Sequence, residues 1–189
     1  MNFTSKWVIG LTMTAALTFG FLHDFWPDAA LSFKRLHIFL FNLLTGGSLI
    51  LYYTEAKHRF TPKVKIYFGF ALAYALFAAA EAYVPTLILS VPLFLMVEWT
   101  RVTHFGFFPW DFFNPKVPTH RKFNHASILC LSMGIAIASL VILNNEFGGP
   151  LHYEKLTIEV FFLGYSFPVS LITMSIMFSF MTKPAGKIM

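Results

Sequence analysis

Charge is what this sequence has least of. Asp, Glu, Lys and Arg make up only 12% of its 189 residues, about half the share in a soluble domain. That is too little to clothe a water-facing surface, and it excludes disordered and free-standing soluble readings. Cysteine is nearly absent too. Cys130 stands alone inside an apolar run, which excludes an internal disulfide, a CxxC redox pair and a thiolate zinc site. There is no phosphate-binding glycine loop, no His-Glu-x-x-His helix and no Gly-x-Ser-x-Gly elbow. ATP-driven transport, zinc proteolysis and serine hydrolysis therefore lack their chemistry. No deep cluster of acids marks an ion pathway, and no arginine ladder marks a voltage sensor.

What is present is apolar. Hydrophobic residues reach 57%, 24 residues are Phe, and mean hydropathy is +0.64. Six apolar segments follow: Trp7–Leu22, Leu36–Tyr53, Ile66–Ala80, Thr86–Trp99, Ala126–Leu143 and Val160–Met181. A crossing of about 30 Å needs roughly 20 helical residues. The expected fold is all-α, a polytopic transmembrane bundle of about six helices, with residues 1–189 forming one domain. The first segment lacks a small-x-small cleavage site and reads as a retained helix rather than a secretory signal. The third and fourth segments are expected to be short, interrupted by Glu81, Pro85 and Pro92, with a tight turn near Tyr83-Val84-Pro85. A re-entrant hairpin is the alternative for this pair.

The 14 basic residues against 9 acidic ones give a formal charge of +5. They sit in short tracts between apolar runs, where they report orientation rather than nucleic-acid binding. With the N-terminus inside, Lys6, Lys57, Arg59, Lys63, Lys65, Arg101, Lys116, Arg121, Lys122, Lys183 and Lys187 fall on the cytoplasmic side. Only Lys34, Arg35 and Lys155 fall outside. Both termini are thus expected in the cytoplasm, and a bacterial inner membrane is the expected location.

Small residues suggest where helices meet. Ala71, Ala75 and Ala79 form one ridge, and Gly134 with Ala138 forms another. Gly46-Gly47 would let a helix approach below Asn42, and Tyr165-Ser166-Phe167-Pro168 would kink the last helix. Ser48 to Glu55 faintly echoes Ser139 to Glu146, as an inverted repeat would.

The longest connection, Thr100 to His125, carries Phe105, Phe107, Phe108, Trp110, Phe112 and Phe113. These aromatics cannot all sit in water, so the segment is expected to lie at the cytoplasmic headgroup level. Lys116, Arg121 and Lys122 would meet lipid phosphates there. Glu98, Arg101 and His104 are spaced three apart and would share one helix side, with Asp111, His120 and His125 following in the connection. Glu55 and His58 leave the second helix at the same level. Carboxylates and imidazoles gathered at a bilayer edge could hold a metal, bind a phosphorylated lipid or quinone headgroup, or shuttle protons. Their spacing matches no zinc or di-iron pattern, and no metal is expected. At the other face, His37 with His23 or His152 could hold a haem, and Glu159 lies just inside the last helix.

Three functions remain. The first is an anchoring or structural subunit of a larger membrane complex, with the bilayer and other membrane subunits as partners. The second is a membrane-embedded enzyme or redox subunit using Glu98, Arg101, His104, Asp111, His120 and His125 on a lipid-like substrate or quinone. The third is a dimeric carrier of small solutes.

Overall fold

The computed structural model describes residues 3–26, 30–55, 60–147, 158 and 167–181. It is all-α, 85% helical, without strands among these residues. Helix α1 spans Phe3–Phe25 and α2 spans Phe33–Thr54. Helix α3 is Pro62–Ala79, α4 Tyr83–Phe105, α5 Thr119–Glu146 and α6 Phe167–Met181. Helices α1, α2, α4 and α5 are long and apolar enough to cross a membrane. Residues 1–2, 27–29, 56–59, 148–157, 159–166 and 182–189 lie outside the description, and with them His58, His152, Glu159, Tyr165 and Ser166.

Local chemistry sets the helix ends. Ser32 caps α2 by accepting from the Arg35 amide at 3.4 Å. Thr61 caps α3 by accepting from Val64 N at 3.3 Å, with Pro62 in the first helical position, where its missing N–H costs nothing. Helix α3 closes when Ala82 N donates to the Phe77 carbonyl at 2.9 Å and Glu81 N to Ala78 at 3.3 Å. This is the paired closure that follows a left-handed residue, here Glu81 at φ 57°. The Glu81 carboxylate is held by Arg35 at 3.1 Å, and Arg35 also donates to the Tyr83 hydroxyl at 3.0 Å.

That closure corrects the expected turn. The chain reverses at Ala80–Ala82, and α4 begins at Tyr83 and runs 23 residues, about 35 Å. The fourth helix is not short. Pro85 lies in its first turn, where amides have no intrahelical acceptor anyway, and Pro92 sits inside without ending it. The connection after α4 is correspondingly shorter than expected, residues 106–118, because helix extends through Phe105 and resumes at Thr119.

Helix α2 is the centre of the bundle, with 78% of its span buried against 11% for α1. Its middle, Phe39–Gly46, is wound as a π-helix. Two neighbours enter this widened stretch at Gly46-Gly47. The Tyr67 hydroxyl of α3 donates to the Leu43 carbonyl at 2.9 Å, and a Cβ on Gly47 would collide with it. A Cβ on Gly46 would strike Val169 of α6. The expected close approach therefore occurs, from two helices. The alanine ridge of α3 is buried at Ala71, Ala75 and Ala79, as are Gly134 and Ala138 of α5. Helix α1 joins the bundle through polar contacts with α2, notably Thr45 to Thr12 at 3.1 Å and His37 Nδ1 to the Ala16 carbonyl at 2.7 Å. The described part of the last helix begins at Phe167, so a kink at Tyr165-Ser166 lies outside the described residues.

Candidate functional site

The end of the bundle formed by the C-terminal turns of α2 and α4 and the first turns of α3 and α5 carries a polar cluster. Arg101 is its centre. Helical spacing of three puts Glu98 one turn above, and the guanidinium grips it through Nε at 3.0 Å and Nη2 at 2.7 Å. Its remaining nitrogen, Nη1, donates to the carbonyls of Gly106 at 3.3 Å and Phe107 at 3.0 Å. A planar fork with five N–H donors can serve carboxylate and carbonyls at once, which an ammonium cannot. The Arg101 side chain is 6% exposed and that of Glu98 21%. Ser132 of α5 donates to Glu98 as well. Gly106 turns the chain at φ 87°, a conformation that strains any residue with a Cβ.

A second group lies beside the first. Arg121 in the first turns of α5 pairs with Asp111 at 3.1 Å and donates to the His104 carbonyl at 3.1 Å. Its guanidinium also lies 5.4 Å from the centre of the Phe105 ring, within the range of a cation–π contact. His125, one turn further along α5, is fully buried. Its ring stacks on Phe105 at 4.6 Å between centroids and packs against Phe112 at 5.0 Å. Asp111 Oδ2 lies 4.0 Å from its Nδ1, too far for a hydrogen bond. Neither ring nitrogen of His125 has a hydrogen-bond partner. Lys122 donates to the Phe112 carbonyl at 3.3 Å.

The expected residues are thus partly gathered. Glu98 and Arg101 meet, and so do Asp111, Arg121 and His125. His104 turns away and is exposed, its Nδ1 bonded to the Thr100 carbonyl of its own helix at 2.9 Å. His120 points elsewhere: its Nδ1 is buried without a partner, and its carbonyl accepts from Ser175 of α6 at 2.6 Å. Of the basic residues expected at lipid phosphates, Arg121 and Lys122 make contacts within the chain, and the Arg121 and Lys116 side chains are both exposed. Glu55 accepts from Thr61 and lies 3.9 Å from Lys63, securing the α2–α3 corner rather than joining the cluster.

Three partners were not singled out for the site in the sequence: Ser132, Phe105 and Phe112. The signal for Ser132 was its spacing, since Arg121, His125 and Ser132 recur at four and seven along one face of α5. The aromatic partners follow only from the folding of the loop onto α5.

Around this framework the loop leaves its large aromatics outside. Phe107 is 74% exposed, Phe108 61%, Trp110 69% and Phe113 79%. Among the described residues no group of three or more His, Cys, Asp or Glu is placed to hold a metal. The chain matches no protein-family model, no curated protein and no solved structure.

Proposed function

We propose that this chain is an anchoring subunit of a larger membrane complex, displaying a stiffened aromatic loop at one membrane face. One observation carries this reading: Arg101, expected in a chemical site, and Arg121 and Lys122, expected at lipid phosphates, all fasten the loop. Arg101 holds the Gly106 and Phe107 carbonyls, Arg121 holds Asp111, and Lys122 holds Phe112. Phe107, Phe108, Trp110 and Phe113 are left outside. Exposed aromatics on a fixed backbone lose little entropy when a partner covers them, and aromatic residues dominate contact energetics.

In this reading the helices make six crossings and both termini lie in a bacterial cytoplasm. Eleven of the 14 basic residues then fall on the cytoplasmic side, the loop among them. A photo-crosslinking residue at Trp110 or Phe113, activated in intact membranes, is expected to give the same discrete protein adduct from both positions. Adducts with lipid alone would contradict the proposal.

One observation favours the second reading, a membrane-embedded enzyme or redox subunit. His125 is buried with two unpartnered nitrogens, a costly arrangement unless something uses them. His125→Phe separates the readings. As a structural ring, His125 yields to Phe with stability unchanged or raised and assembly intact. A folded variant that assembles normally but abolishes the cellular function would favour the enzyme.

A further inference from the structure

The opposite end of the bundle pairs Arg35 with Glu81 but leaves other polar groups beside a groove. Between the last turns of α1 and the first turns of α2 runs a groove of about 280 Å³, lined by Leu17, Phe21 and Ile38 below and His23, Asp24 and Lys34 above, with His37 between. The His37 ring is fixed there. Its Nδ1 lies 2.7 Å from the Ala16 carbonyl, an oxygen that can only accept, so Nδ1 carries the proton. With Nδ1 donating to the carbonyl, Nε2 is the ring nitrogen left to accept from a ligand. Gly20 makes the approach feasible, because a Cβ there would sit 2.9 Å from His37 Nδ1. Asp24 is exposed, and among the described residues neither its side chain nor that of His23 has an ion-pair or hydrogen-bond partner. The groove thus offers a lone-pair acceptor and an unpaired carboxylate above apolar walls, with the Lys34 side chain at its lip.

We propose that this groove binds the headgroup of phosphatidylethanolamine. A primary ammonium brings three N–H donors and one positive charge, which answer Asp24 and His37 Nε2 together. The adjoining phosphate meets His23, and the acyl chains leave along Leu17 and Phe21 into the bilayer. A hydroxyl ligand such as a quinol would satisfy His37 but leave the Asp24 charge unanswered. Phosphatidylcholine has the same charge and phosphate but no N–H donor, so it provides the control.

The test uses the purified full chain in mild detergent, titrated with lysophosphatidylethanolamine or lysophosphatidylcholine of equal acyl length and read by native mass spectrometry. The ethanolamine lipid is expected to bind about tenfold tighter or more, the weight of one charge-assisted hydrogen bond. The preference should fall stepwise through the mono- and dimethylated headgroups. Asp24→Asn, at an exposed position without a partner, should leave folding intact and remove most of the preference, and His37→Phe should do the same where it folds. Equal binding of the two headgroups, or a preference unchanged in Asp24→Asn, would overturn the proposal.

Discussion

At the scale of single residues, Arg101 bears the most consequence. Its partners are a mostly buried carboxylate and two loop carbonyls, so truncation strands all three. Breaking a buried ion pair from one side costs about 3–5 kcal/mol, mainly because the remaining charge stays buried. Arg101→Ala is therefore expected to lower unfolding stability by about 3 kcal/mol or more in detergent. Replacing both partners, as Glu98→Met with Arg101→Met, is expected to recover most of that loss, since the Ser132 hydroxyl can turn to a carbonyl of its own helix. Thermal unfolding of the two variants side by side checks this, and an additive double variant would refute it. The pair was legible in the sequence, because spacing of three on a helix puts side chains together. The link from Arg101 to Gly106 and Phe107 was not, since it depends on the chain leaving the helix at Gly106 with positive φ.

At the scale of elements, the α2 notch explains why the bundle closes around one helix. The π-helical stretch and Gly46-Gly47 admit Tyr67 and Val169 where side chains would stand. Gly47→Ala is expected to destabilise the protein by about 1–3 kcal/mol through overpacking. Tyr67→Phe alone should cost only about 0.6 kcal/mol, typical of a hydrogen bond inside a membrane protein. Combined with Gly47→Ala it should relieve part of the clash, so the double variant is more stable than the sum of the two losses predicts. Strict additivity in a thermal-shift cycle would contradict this packing. The apolar runs marked where helices lie because sustained hydropathy is a local property. They misjudged α4 because Glu81 and Pro85 look like interruptions in sequence. In the fold, Glu81 supplies the left-handed residue that ends α3, and Pro85 falls in the first turn of α4, whose amides have no intrahelical acceptor. The π-winding of α2 left no sequence signal beyond its paired glycines, where Tyr67 of α3 and Val169 of α6 enter.

At the scale of the whole molecule, the two ends of the bundle contrast. At one end, charges are paired with one another and with backbone, and aromatics stand outside. At the other, Arg35 pairs with Glu81, while among the described residues the Asp24 and His23 side chains have no partner beside a groove that opens between α1 and α2. Few charges suit a chain with four helices among its described residues that are long and apolar enough to cross a membrane. The exposed faces of α1 and α4, with Leu11, Phe21, Ile88, Leu95 and Trp99, suit acyl chains or neighbouring subunits equally, so they do not themselves decide between a lone protein and an assembly. Mass does. Extraction of native membranes into polymer-bounded lipid discs, followed by native mass spectrometry, weighs the particle with its bilayer surroundings retained. The anchoring account predicts the 21.5 kDa chain at fixed stoichiometry with at least one other protein species. A particle containing one copy of this chain and lipid alone would contradict it.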